Sequence, residues 1–151
     1  MNNQNAEQIL EKTGVYSAIS KGTSMWPMLG DGTDRIIVAK CDTEPELYDV
    51  ALFRRESGIL VLHRIVKIHT DHYLFCGDNQ NFFEKVKKEQ VLGILKGYYK
   101  GKKYTDCKKS RSYRIYVRLW TKTLPRRKEL LIFMWTLVGI KNKIKRIFRK
   151  K

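Results

Sequence analysis

Through the first hundred residues, the apolar positions come in short runs separated by turn-forming residues. Runs of this length, with successive side chains on opposite faces, are the pattern of β-strands. Residues 35–39, 48–53 and 73–76 read as strands of this kind. The longest run covers residues 59–68 and is entered from the turn Glu56-Ser57-Gly58. A period of two sets Val61, His63 and Ile65 on one face and Leu62, Arg64 and Val66 on the other. Residues 91–95 and 97–104 read as two further strands, the second interrupted by Lys100-Gly101-Lys102-Lys103. Before the strands, residues 5–13 form a short helix capped by Asn5 and stopped by Gly14. Residues 22–32 are a Gly-, Pro- and Thr-rich loop that holds Ser24, and Pro27 forces Trp26 toward an extended conformation. The expected fold is mainly β, with a β domain from about residue 15 to 105.

The period then changes. Tyr113, Val117, Trp120 and Leu124 recur at helical spacing beside a basic stripe of Arg111, Arg114, Arg118 and Lys122. Pro125 breaks that helix, and residues 130–140 are an apolar run softened only by Thr136 and Gly139. Ile140, Ile144, Ile147 and Phe148 continue an apolar stripe through a basic end. Charge divides the chain at the same place. Residues 108–151 hold 16 Lys+Arg and one acid, while residues 1–107 hold 15 basic residues and 14 acids. Two parts are therefore expected: a nearly neutral domain over 1–107 and a basic amphipathic helical tail over 108–151. Such a tail suits an anionic partner. Cys41, Cys76 and Cys107 are scattered and odd in number, which argues against a disulfide framework. The polar start Met1-Asn2-Asn3-Gln4-Asn5 lacks the basic and apolar regions of a secretory signal. No apolar run reaches the 18 or so residues of a clear membrane span.

Three residue types in the β part can do chemistry together. Serine is a weak nucleophile until a base takes its proton, and histidine, with an ordinary pKa of about 6.5, suits that task near neutral pH. Ser24 lies in the loop and His63 in the longest strand, flanked on its face by Val61 and Ile65. An acid can then hold the imidazole in place. Asp78 follows a strand end in the turn Gly77-Asp78-Asn79 and is the preferred choice; Glu84, six residues on, is the second. One acid would orient His63 while the other supports the turn. No cofactor or metal is called for.

These residues stand in boxes. Ser24-Met25-Trp26-Pro27, Tyr48-Asp49-Val50-Ala51-Leu52-Phe53, Leu62-His63-Arg64-Ile65-Val66, Cys76-Gly77-Asp78-Asn79 and Val91-Leu92-Gly93 follow in order. The set resembles the signal peptidase superfamily of serine proteases, which includes the self-cleaving repressors, over about residues 20–97. The resemblance implies a signal-peptidase-like β catalytic domain, with Ser24 as nucleophile, His63 as general base and Asp78 as a catalytic-region acid. A histidine at this point marks the archaeal, endoplasmic-reticulum and sporulation-type members, which often carry a second Asp where this chain has Glu84. The chain departs from the family in four further ways. Tyr48 replaces a glycine; Gly22 stands where many members have a serine that helps the oxyanion hole; no membrane segment precedes Ser24; and no helix-turn-helix precedes the domain.

The expected function is a serine endopeptidase that cleaves leader or signal segments through an acyl-enzyme on Ser24, with small residues near the cut by resemblance. The alternative is an inactive relative that binds peptides or membranes. For the tail, 11 apolar residues span about 16 Å as a helix, roughly half of a 30 Å hydrocarbon core. Phe133 and Trp135 within the run and Lys and Arg around it suit a helix lying in an anionic membrane interface. The expected location is therefore peripheral on a membrane. A core helix packed on the β domain is the next reading, and nucleic acid binding ranks last.

Overall fold

The strand over residues 60–68 organises the molecule, because both of its faces are covered. In the computed structural model, which describes residues 3–41 and 43–148, this strand (β4, Leu60–Ile68) runs between β3 (Val50–Arg54) and β5 (His72–Cys76). Around it lie α1 (Asn3–Thr13), β1 (Val15–Ile19), β2 (Arg35–Lys40), β6 (Glu84–Lys87), β7 (Val91–Lys100), β8 (Lys103–Asp106), α2 (Arg111–Lys122) and α3 (Arg127–Phe148). The eight strands form one antiparallel sheet in the order β1-β2-β7-β3-β4-β5-β6, with β8 also pairing with β7. Strand takes about 35% of the chain and helix about 31%, so the mainly β expectation holds only loosely.

The alternation read from the sequence divides two cores. Val50 and Leu52 of β3 and Leu62 of β4 face a larger core that α1 closes with Ala6 and Leu10. Ala51, Phe53 and Ile65 face a smaller core completed by Tyr73, Phe75 and Val86. Phe53 and Phe75 are fully buried there, with ring centroids 4.6 Å apart. Burying each contributes about 1.5–3 kcal/mol. His63 and Arg64 thus project from opposite faces of β4, and both are buried.

Several boundaries differ from expectation. Helix α1 begins at Asn3, which puts Asn5 inside the helix and not at its cap. The two strands expected over 91–95 and 97–104 are one strand, β7, because a bulge opposite Ile37/Val38 absorbs Lys96 without ending the ladder. The turn at Gly101 then leads into β8. Strand β6, Glu-Lys-Val-Lys, shows almost no apolar pattern and forms by pairing with β5.

Helix α2 is capped by the Ser110 side chain, which accepts from Tyr113 N–H. Its apolar stripe faces the body, with Tyr113 and Trp120 buried. The helix stops at Lys122, and Leu124–Arg126 form a single 3₁₀ turn around Pro125. Helix α3 buries Arg127 and Leu131 but leaves Ile132, Phe133, Leu137 and Ile140 exposed. The side chains of Ile144, Ile147 and Phe148, read as continuing its apolar stripe, lie outside the described residues, as does the chain from 149 onward.

Candidate active site

Ser24 sits in a turn whose anchors are apolar: Met25, Met28 and Leu29 are buried in the larger core. That burial leaves Ser24 half-exposed at the loop's inner rim. Ser24 and His63 line one cavity of about 500 Å³. Its floor is apolar, with Tyr16, Met25, Leu29, Ile36 and Leu52, and its wall carries the cations Lys21 and Arg55. The cavity size falls in the range of ligand sites, and its mix of an apolar floor with few polar groups is what such sites show. No Ser24–His63 hydrogen bond is among those the described residues form. Contacts of this kind commonly tighten only when substrate arrives.

His63 is almost fully buried, with its ring edge-on to Phe53 at 6.1 Å. Its Nδ1 lies 2.9 Å from Glu84 Oε1. The carboxylate oxygen is off the N–H direction, so the contact is close enough for an ion pair but fails in-line hydrogen-bond geometry. Burial holds the His63 pKa below its ordinary value, and Glu84 opposes that drop. The imidazole is therefore neutral near pH 7 and able to accept a proton. Burial pushes Glu84 upward, but Arg55 and His63 outweigh it and hold the carboxylate below its ordinary range. Arg55 donates to Glu84 Oε2 from Nε at 2.7 Å and lies 2.6 Å away through Nη2. Sequence reasoning missed Arg55: it lies just past the end of β3, and nothing local links it to a residue 29 positions on.

Asp78, the acid preferred from the sequence, does not meet His63. It is fully buried, and its carboxylate receives Arg64 through Nε at 2.9 Å and Nη2 at 2.7 Å. Tyr116 Oη donates to the same group at 2.9 Å. The reason is geometric. Arg64 and His63 are neighbours on β4 and point to opposite faces, so an acid clasped by Arg64 is on the wrong side of the sheet for His63. The Asp78 carbonyl accepts Arg127 Nη1 at 2.9 Å and Trp120 Nε1 at 3.2 Å. Asp78 thus ties α2 and the start of α3 to the Gly77-Asp78-Asn79 turn.

That turn holds the loop that carries Ser24. Asn79 N–H donates to Ser24 O at 2.8 Å, and Asn79 Nδ2 donates to Thr23 O at 3.1 Å. Gly77 is required by the closeness: a Cβ there would stand 2.6 Å from Ser24 O. Gly22 has φ of +84°, and its N–H donates to Asp31 Oδ1 at 2.7 Å. A Cβ would meet nothing within 4 Å there, so what a serine at this position would meet first is backbone strain. Among the described residues, the Ser24 N–H is not among the backbone donors of the loop. Among the described residues, no group of three or more His, Cys, Asp or Glu side chains converges as a metal site. The chain matches no protein-family model, and no curated protein matches it.

Proposed function

We propose that this chain is a serine endopeptidase of the kind its boxes resemble, the histidine-type signal peptidases. The observation that carries the reading is the position of His63: it shares a cavity with Ser24 and touches an ionised Glu84 through Nδ1. With Nδ1 turned to Glu84, Nε2 is the nitrogen left to take the serine proton. In the proposed reaction, Ser24 Oγ attacks a peptide carbonyl while His63 Nε2 accepts its proton. The Ser24 N–H stabilises the oxyanion, and Glu84 stabilises the imidazolium. Collapse breaks the C–N bond, and His63 returns the proton to the leaving amine. Water, deprotonated by the same nitrogen, then releases the acyl group and restores Ser24. By resemblance the substrate is a leader or signal segment with small residues near the cut.

The reading includes a peripheral seat on an anionic membrane. Ile132 and Phe133 are each 60% exposed on α3, in a region of net +15 charge. Apolar side chains inserted among headgroups with cations around them match an interfacial helix. Among the described residues, no helix is long and apolar enough to cross a membrane. A second reading, a peptide binder without turnover, draws on the missing Ser24–His63 hydrogen bond. Hydrolysis of a panel of leader-type peptides separates the two. The proposal expects cleavage that Ser24→Ala abolishes; peptide binding with no cleavage by the wild-type chain would favour the binder.

A further inference from the structure

Helix α3 does more than present an apolar outer face, because its inner face reaches the nucleophile loop. The Trp135 ring stacks on Trp26, two residues after Ser24, with centroids 5.0 Å apart and planes 29° from parallel. Trp135 Nε1 also donates to Asn79 Oδ1 at 3.1 Å. Asn79 is the residue whose N–H and side-chain amide hold the carbonyls of Ser24 and Thr23. One side chain of α3 thus grips both walls of the cradle around Ser24: the loop itself through Trp26, and the clamp through Asn79. Eight residues earlier on the same helix, Arg127 fixes the Asp78 carbonyl in the same turn. On this outer side Trp26 and Pro27 are half-exposed, and among the described residues Lys100 Nζ donates to Pro27 O at 3.1 Å.

We propose that Trp135 is a positioning residue for Ser24, so that docking of α3 sets the geometry of the nucleophile loop. An aromatic stack and a neutral hydrogen bond together bias a docked over an undocked loop by about 5- to 150-fold, and half-exposure of Trp135 puts this case near tenfold. Loss of the stack and hydrogen bond also shifts where the loop sits, and a misplacement of about 1 Å from a distant change can cost 100-fold in rate. Substrate affinity changes little, because neither tryptophan lines the cavity. The structural coupling stands by itself; its effect on rate rests on the hydrolase reading.

Two readouts test this on the full-length chain. Amide hydrogen exchange at Asn79, whose N–H is bound to Ser24 O, reports the clamp directly, and peptide hydrolysis reports the rate. Trp135→Ala is expected to speed Asn79 exchange and lower kcat, each about tenfold, with KM within about twofold. Trp135→Phe keeps the stack and loses the hydrogen bond, and is expected to retain most of the rate. Glu129→Gln, exposed on the same helix, is expected to change neither readout. Unchanged Asn79 protection in Trp135→Ala overturns the proposal, as does faster exchange with unaltered kcat in an active protein. A wild-type chain without Ser24-dependent hydrolysis defeats the hydrolase reading instead, and the exchange result still decides whether α3 holds the loop.

Discussion

The two acids near the site are separable by one pair of isosteric substitutions, because they act through different quantities. Asp78 and Arg64 are each about 1% exposed and share two hydrogen bonds. Asp78→Asn keeps the shape but leaves the Arg64 guanidinium charged, buried and without its counter-ion. Breaking such a pair costs about 3–5 kcal/mol, a large share of the roughly 5–15 kcal/mol that holds an ordinary domain. For a chain of this size that is a fall in Tm of about 6–20 °C. Glu84 differs: its side chain is 18% exposed and its cationic partner Arg55 is 39% exposed. Glu84→Gln is expected to cost under about 1 kcal/mol of stability but to leave the His63 imidazolium without its carboxylate. Removing the acid of a triad can cost about 10,000-fold in kcat; the bent contact here sets the expectation nearer 100-fold. Thermal unfolding and steady-state kinetics on both variants decide the matter. A stable, inactive Asp78→Asn together with a fully active Glu84→Gln would refute the assignment.

Further predictions follow from the same geometry. Ser24→Ala and His63→Ala each abolish hydrolysis, and the double variant is no worse than either, because the residues act as a unit; additive losses in kcat would contradict this. Burial lowers the His63 pKa and its neutral form is the base, so kcat/KM rises with pH to a plateau with a midpoint below about 6.5. Glu84 is the largest influence that raises that pKa, so in Glu84→Gln the midpoint of the residual activity moves to lower pH; a move upward counts against the contact. The full chain sediments with anionic vesicles and weakly with neutral ones, and high salt releases only part of it. Phe133→Ser weakens the salt-resistant part without affecting hydrolysis of a free peptide, whereas equal binding by both chains would place the membrane contact elsewhere.

Much of this arrangement is legible in the sequence, where neighbouring residues decide it. The alternation over 59–68 puts His63 and Arg64 on opposite faces, as the structure has them. The same alternation already bears on the acids: one held by Arg64 cannot also serve His63. What it cannot tell is which acid Arg64 holds, because Asp78 and Glu84 come to β4 through long-range folding. Glu84 arrives on β6, a strand whose sequence is polar at three of four positions and which forms only because β5 offers an edge. The charge step near residue 107 coincides with the passage from strands to helices. Burial does not follow that step, since Tyr113 belongs to the larger core and Arg127 to the Asp78 turn. An amphipathic stripe shows that a helix has an inner face, not what that face touches. Trp135 reads as an interfacial aromatic for that reason, although it reaches a loop more than a hundred residues away.

The central claim is that Ser24 is a nucleophile activated by His63. The most direct measurement is covalent labelling with a serine-directed fluorophosphonate, located by peptide mass spectrometry. The account predicts one adduct, on Ser24, formed with a rate that follows the neutral fraction of His63 as pH changes and lost in His63→Ala. An unlabelled Ser24 in the folded wild-type protein, or labelling that persists unchanged without His63, would contradict it.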